Sequence, residues 1–225
     1  MSSTVEDSKD IEILLPELES VANEEPASAD ARTMIGDGMS AEAASKLIVY
    51  ELSVPLLLKD KTFSEFSRDL LLAIMKAFRC EAGSILELNS EKNVFFFRAC
   101  VGQISDQLPN FEVPVTSGIV GQVAQSRKPV MVNDLTENEF HLQTLTRSLG
   151  FEARNMIALP IFVRGRFYGV VELINRVGSQ SESFTQSDLD VGQAATHVIS
   201  QILELRFMLG QRAKIENLNK TEKAA

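Results

Sequence analysis

Apolar residues recur at helical spacing in three stretches of the chain. A first helix is predicted from Ser40, which can cap its amino end, to Leu58, with Pro55 kinking or ending it. A second helix carries an apolar face made of Phe63, Phe66, Leu70, Ile74 and Phe78. A third is predicted from Thr185 to Leu209, and its apolar stripe is longer than the core of one small domain can cover. Its last turns are therefore expected to pack against another element.

Between the second and third helices the apolar spacing becomes that of extended chain. Strands at Cys80 to Leu88 and Val94 to Val101 flank a polar turn, which predicts a hairpin. A second hairpin is predicted to join Met156 to Val163 with Phe167 to Ile174 across a short polar turn that contains Gly165. Two antiparallel hairpins among helices indicate an α+β fold.

Shorter elements are predicted in the segments that connect these hairpins. A helix is expected from Ser117 to Gln125, entered through a tight glycine turn, and a short strand from Val130 to Val132. Residues Leu135 to Leu149 are polar with scattered apolar anchors and end at Gly150, which is typical of a helix C-terminus. This last segment is interpreted as a loop and helix that form a lid.

The charge of the chain is concentrated at its amino end. The 225 residues carry a formal net charge of -9, and 44% of them are hydrophobic. The first 39 residues hold 10 acidic and 2 basic residues, which leaves 21 acidic and 20 basic of the totals of 31 and 22 for the rest. That segment is predicted to be a disordered tail. The nearly neutral remainder argues against nucleic acid and anionic membranes as partners.

Membrane and secretory signals are not found in the sequence. No apolar stretch is long enough to span a bilayer, and the acidic start differs from the basic start of a secretory signal. A cytoplasmic protein is therefore expected.

Residues that would carry catalysis form no recognisable constellation. Cys80 and Cys100 are too few for a zinc cluster or a disulfide framework, and the register that decides whether they share a face is open. His141 and His197 have no second metal ligand nearby in sequence. We therefore expect neither a metal site nor an enzyme.

The order of the elements and four local patterns resemble the GAF domain, a family of sensory modules. The patterns are Gly118-Ile119-Val120-Gly121-Gln122-Val123-Ala124, Asn133-Asp134, the stretch around Gly150-Phe151 with Arg154 and Asn155, and Gly169-Val170-Val171-Glu172-Leu173-Ile174-Asn175. The resemblance implies a central antiparallel sheet of about six strands, with helices on one face and the lid on the other. It divides the chain into an acidic tail at 1–39, a helix at 40–62, the GAF-like domain at 63–206, and a helix end and tail at 207–225.

A further pattern resembles the regulatory GAF domains of cyclic nucleotide phosphodiesterases. Their signature is Asn-Lys, a gap, then Phe-x-x-x-Asp-Glu, and this chain has Asn175-Arg176, then Phe184 and Asp188, with Leu189 in place of the Glu. A salt bridge between Arg176 and Asp188 would survive these changes. The same residues have a structural interpretation, because Thr185 and Asp188 have the spacing of a capping box.

The resemblance also implies a set of ligand-binding positions. Carried over one by one, they are Ser84, Ala99, Cys100, Ile119, Val120, Leu149, Ala153 and Glu172. An aromatic platform that stacks on the base is replaced by Ala99, which removes about 1 to 3 kcal/mol of stacking. The implied ligand is a cyclic nucleotide or another small metabolite.

Glu172 stands out because a carboxylate in an apolar strand is costly to bury without a partner. It is a candidate ligand contact. Alternatively, it faces solvent or pairs with an arginine such as Arg98 or Arg154.

Two functions follow as hypotheses. In one, the domain binds a small ligand and signals to a separate protein effector through helices that pair across a homodimer. In the other, the space under the lid is filled by the protein's own side chains, and the domain is a module for dimerisation and docking. Both predict pairing of the helices at Ser40 to Leu58 and Thr185 to Leu209.

Overall fold

The computed structural model describes residues 61–135, 149–177 and 183–224, with the side chains of the last helix described as far as Arg212. The predicted acidic tail and the predicted helix from Ser40 to Leu58 lie outside the described residues. So does nearly all of the predicted lid, at residues 136–148.

Helix α1, Phe63–Phe78, begins at a complete capping box. The backbone N–H of Glu65 donates to Thr62 Oγ1, and the backbone N–H of Thr62 donates to the Glu65 carboxylate. Arg79 ends the helix in the left-handed conformation, at φ 51°. The predicted apolar face is buried at Phe66, Leu70, Ile74 and Phe78, and Phe63 is half-buried.

Six strands form one antiparallel sheet in the order β3-β2-β1-β6-β5-β4. The strands are β1 Cys80–Asn89, β2 Val94–Val101, β3 Glu112–Pro114, β4 Val130–Val132, β5 Met156–Val163 and β6 Arg166–Arg176. Both predicted hairpins are present, and the central pair of strands is β1 with β6. The β5–β6 turn consists of Arg164 and Gly165, both at positive φ (52° and 71°), as a tight two-residue hairpin requires.

The two faces of the sheet are covered by different helices. Helix α2, Gly118–Ser126, lies on one face, which we call the α2 side. Helices α1 and α3 lie on the other, which we call the helix side. The predicted α+β fold is therefore confirmed in its sheet and in the described helices.

Helix α3, Gln186–Ala224, is 39 residues long and extends beyond the predicted end at Leu209. Ala195, Ile199 and Leu203 are buried against the sheet, mainly on β5. Near position 205 the buried stripe ends, and Leu205, Met208 and Leu209 are exposed. None of the described helices combines the length and apolar character that a membrane crossing requires.

Candidate functional site

A cavity of about 60 Å³ lies between the α2 side of the sheet and α2. Its walls are mostly apolar and come from strands β1, β2, β5 and β6, from α2 and from the segments that connect these elements. The lining includes Ala82, Gly83, Ser84, Phe97, Ile104, Leu108, Ile119, Val120, Leu135, Phe151, Ala153, Met156, Glu172 and Ile174.

The polar part of this cavity is a buried pair formed across the two central strands. The register of β1 and β6 places Ser84 directly opposite Glu172, and Ser84 Oγ donates a hydrogen bond of 2.7 Å to the Glu172 carboxyl. Both residues are buried. The alternative that Glu172 faces solvent or pairs with an arginine is wrong, since Arg98 binds Glu87 and Arg154 binds Glu81.

The ionisation of Glu172 is displaced towards neutral pH. Burial raises the pKa of the Glu172 carboxyl to about 7, and the hydrogen bond from Ser84 opposes this rise without cancelling it. The carboxyl is therefore able to donate or accept a hydrogen bond near neutral pH, depending on its proton. A group with such a displaced pKa in a cavity is characteristic of functional sites.

The amino end of α2 forms another part of the cavity wall. Gly118 adopts positive φ (65°), and a Cβ on Gly121 would meet the carbonyl carbon of Thr116 at 2.6 Å, so both glycines are needed for this tight entry. The side chain of Ser117 makes no capping hydrogen bond. The first turn of the helix, with its N–H groups and the positive end of its dipole, therefore lies beside the cavity at Ile119 and Val120.

The structure brings five of the eight predicted ligand positions together. Ser84, Ile119, Val120, Ala153 and Glu172 line the cavity. Cys100 and Leu149 pack on the α2 side of the sheet but are not part of the lining. Ala99 lies in the core on the helix side, away from the cavity.

A β-bulge in β2 explains the position of Ala99. Ile85 and Leu86 are consecutive on β1, but they pair with Ala99 and Phe97 on β2, so Arg98 is an extra residue. The alternation of β2 changes at this point. As a result Phe97 faces the cavity and Ala99 faces away from it.

Two aromatic residues of the cavity are not among the eight predicted ligand positions. Phe97 and Phe151 line the cavity, so the expected loss of an aromatic wall at Ala99 does not describe this site. The alternation of Phe95, Phe96 and Phe97 indicates which aromatic side chains share a face, but it gives no sign of the bulge that follows.

The Asn-Arg and Phe-x-x-x-Asp pattern lies outside the cavity and joins β6 to α3. Arg176 and Asp188 form the predicted ion pair, with Nη1 and Oδ2 3.4 Å apart. Thr185 and Asp188 form the capping box of α3. The side chain of Asn133 makes two hydrogen bonds to the backbone of buried Phe184. Its Nδ2 donates to the Phe184 carbonyl, and its Oδ1 accepts from the Phe184 N–H.

Asn175 supports the same junction from the end of β6. It is fully buried at φ 56°, and its side-chain amide donates to the Glu81 side chain and the Glu152 carbonyl. These contacts favour the structural interpretation of the pattern.

The two cysteines lie on opposite faces of the sheet. Cys80 packs on the helix side and Cys100 on the α2 side. Burial raises the pKa of the Cys80 thiol strongly and that of Cys100 to about 12, and the nearby Glu172 carboxylate contributes to the rise at Cys100. Both thiols are therefore protonated and weakly reactive at neutral pH. Across the described ranges, no group of three His, Cys, Asp or Glu side chains is arranged to hold a metal ion.

Comparison of the sequence with known families gives a match to the GAF domain over residues 60–204. The chain belongs to the GAF domain family. Members of this family are typically regulatory or sensory ligand-binding domains, and they often form dimers.

Curated relatives of this GAF domain include the cone cGMP-specific 3',5'-cyclic phosphodiesterase subunit alpha' of Bos taurus and of Mus musculus. They are 29% identical over 92 residues and 28% identical over 100 residues, which covers 41% and 44% of this chain. The matched regions are 10% and 11% of those proteins, so the chain matches about a tenth of their length.

Solved structures with the same fold include a GAF domain of a larger protein and an enzyme. The GAF domain of a phosphoenolpyruvate-protein phosphotransferase from Coxiella burnetii is 17% identical, with a TM-score of 0.60 and coverage of 78% of this chain and 99% of that one. A free methionine-R-sulfoxide reductase from Neisseria meningitidis is 18% identical, with a TM-score of 0.58 and coverage of 80% and 96%. At these identities the likeness shows the fold alone.

Proposed function

We propose that this GAF domain is a regulatory module that binds a small ligand in the cavity beside α2 and passes its occupancy through α3 to a separate protein. The observation that carries the proposal is the buried Ser84–Glu172 pair, which lines a mostly apolar cavity. Within the described residues, Ser84 is the hydrogen-bond partner of the Glu172 carboxyl. Burying a carboxyl removes its hydrogen bonds to water, which is costly. A polar group on a ligand would supply a further hydrogen bond to Glu172, which apolar packing does not.

The walls of the cavity limit the chemistry of the ligand. Within the described residues its lining contains no lysine or arginine, and its polar side chains are Ser84, Ser105 and Glu172. An apolar body with one amide, amine or hydroxyl group fits this arrangement, because Glu172 can accept a hydrogen bond as a carboxylate or donate one as an acid. An anionic group would instead be placed at the first turn of α2.

Volume favours a compact ligand. The cavity measures about 60 Å³, whereas pockets for drug-sized ligands occupy about 300 to 1,000 Å³. The relatives named cGMP-specific phosphodiesterases make cyclic nucleotides a reasonable second class, for which the cavity would have to expand.

The second candidate function is ligand-free assembly. It is favoured by the small cavity volume and by the exposed apolar residues Leu205, Met208 and Leu209 on α3. In this alternative the cavity is a packing defect, and the domain contributes a surface for a second copy and for an effector.

Thermal melting separates these functions. The purified chain is melted with cAMP, with cGMP, and with a panel of small amides, amines and alcohols, and native mass spectrometry is used to look for a co-purified ligand. A ligand present at a free concentration of about 100 times its Kd raises the free energy of unfolding by about 2.7 kcal/mol. We expect a positive shift with at least one compound of the panel.

Matched variants assign such a shift to the cavity. Glu172→Gln and Ser84→Ala should reduce it, whereas Glu112→Gln, an exposed carboxylate on β3, should retain it. If no compound produces a shift and no ligand co-purifies, the assembly function is favoured.

A further inference from the structure

A second concave surface lies on the other side of the domain, along α3. It is an open groove of about 530 Å³ between α3, the outer edge of β5 and the loop after α2. The lining residues of α3 run from Gln193 to Glu204, so the groove follows the helix for about 17 Å. Exposed polar side chains, among them Gln193, His197 and Gln201, line the helix wall.

Positive charge is concentrated at one end of this groove. The loop after α2 contributes Arg127 and Lys128, the β5–β6 turn contributes Arg164, and the first residue of β6 is Arg166. All four side chains are exposed. Of these four residues, Arg127 and Arg164 line the groove. Among the described lining residues, Glu204 is the acidic one. This cluster contrasts with the near neutrality of the chain beyond residue 39.

Arg127 is held in a position suited to binding an anion. Its guanidinium lies over the ring of Phe167, with Cζ 4.0 Å from the ring centroid. Stacking fixes the plane of the guanidinium and leaves its N–H edges available, which is the geometry that carboxylates bind in a bidentate manner.

Arg164 already binds a carboxylate in this groove. Its Nε lies 3.6 Å from Oε1 of Glu204, and both side chains are partly exposed. An incoming carboxylate would therefore compete with Glu204 for Arg164. The resident pair shows which chemistry this wall of the groove accepts.

The edge of β5 does not offer a site for an added strand. Pairing with β4 ends at Val130 and Ala158, but beyond it Pro160 has no N–H, and the N–H of Phe162 donates to Ser200 Oγ at 3.3 Å. Proline and a capped N–H are typical protections of a strand edge. An occupant would therefore be recognised by side-chain charge and not by main-chain pairing.

We propose that this groove binds an acidic peptide segment of a partner protein, with its carboxylates on Arg127 and Arg164. The length and open shape of the groove fit an extended segment better than an enclosed metabolite. This proposal does not depend on ligand binding in the cavity, because the groove shares none of the lining residues of the cavity.

Fluorescence anisotropy with a labelled ten-residue peptide of alternating Glu and Ser tests the proposal on the full chain. We expect binding at low ionic strength that weakens about tenfold or more between roughly 50 and 500 mM NaCl. Arg127→Asn and Arg164→Asn should each weaken binding about threefold to tenfold, and asparagine tolerates the left-handed backbone at both positions. Glu204→Gln should strengthen binding about twofold to threefold, because it removes the competing carboxylate.

Lys92→Gln on the β1–β2 turn is the matched control for charge and should bind as the unchanged chain does. Melting curves of all variants verify folding, and Glu172→Gln should keep peptide binding whatever its effect in the cavity. The proposal is overturned if the Arg127 and Arg164 variants bind like the Lys92 variant, or if Glu204→Gln weakens binding. It is also overturned if inorganic phosphate or a single-stranded oligonucleotide occupies the groove while the peptide does not bind.

Discussion

Glu172 is the residue in which the packing and the chemistry of the domain meet. It lies in the middle of β6 between apolar neighbours, and its carboxyl group reaches the cavity beside Ser84. Burial favours the neutral acid over the carboxylate, which is why the pKa rises to about 7. Occupancy of the cavity and protonation of this group are therefore expected to be linked.

The raised pKa predicts a stability that falls with pH. Below about pH 4.5 the carboxyl is protonated in both the folded and the unfolded chain, so it has no effect. Between that pH and about 7 the folded chain retains a proton that the unfolded chain has lost, so the free energy of unfolding decreases as pH rises. The accumulated loss is on the order of 3 kcal/mol by pH 8.

Glu172→Gln should remove this dependence. We expect chemical denaturation between pH 5 and 8 to show a gain in relative stability of the variant as pH rises, while Glu112→Gln follows the unchanged chain. Parallel curves for the Glu172 variant and the unchanged chain would contradict a buried carboxyl that titrates near neutral pH.

At the scale of elements, the pairing of β1 with β6 depends on a close backbone approach at Gly169. A Cβ at this position would lie 2.0 Å from the carbonyl oxygen of Leu86, which is held in the central strand pair. Backbone atoms in this position cannot move away as a flexible side chain can. Gly169→Ala should therefore reduce the free energy of unfolding by about 3 kcal/mol or more.

Gly210 on α3 provides the opposite case for the same substitution. A Cβ there meets nothing within 4 Å, and alanine is a better helix former than glycine. Gly210→Ala should increase the free energy of unfolding by about 0.5 to 1 kcal/mol, measured by urea denaturation.

A Gly169→Ala variant within 0.5 kcal/mol of the unchanged chain would be inconsistent with the β1–β6 register.

The sequence predicts regular elements better than the site that they form. Apolar periodicity is a local property, and it correctly places both hairpins, the α1 face and the strand Val130–Val132. The position of Ala99 depends instead on one extra residue at Arg98, which no local pattern reveals. Glu172 stands out in the sequence as a carboxylate in an apolar strand, but its partner Ser84 is 88 residues away and is set by strand register.

At the scale of the whole molecule, the two faces of the sheet carry different structural features. The sheet lies between the cavity on its α2 side and α3 on its helix side, so the proposed binding site and the proposed output helix are on opposite faces. Glu87 links the two central hairpins on the helix side, because it binds both Arg98 and Tyr168. Tyr168 and Phe63 in turn contact the ring of Phe207, so a continuous set of side-chain contacts joins the sheet to α3.

The same helix carries the surface on which the dimer prediction rests. Leu205, Met208 and Leu209 are 39%, 48% and 44% exposed, and their spacing places them along α3 beyond its buried stripe. A monomer leaves this apolar area in water, whereas a second copy covers it. We therefore expect light scattering at micromolar concentration to give twice the chain mass of 24.8 kDa.

Substitution of Leu205 and Met208 by glutamine should shift the molecule towards the monomer mass without lowering the stability of the sheet. Glutamine keeps helix propensity while removing the apolar contact, so the effect is specific to assembly. Val177→Gln, at a residue 50% exposed just after β6, is the matched control and should remain dimeric. A monomer for the unchanged chain, or a dimer that survives the double substitution, would contradict self-association through this surface of α3.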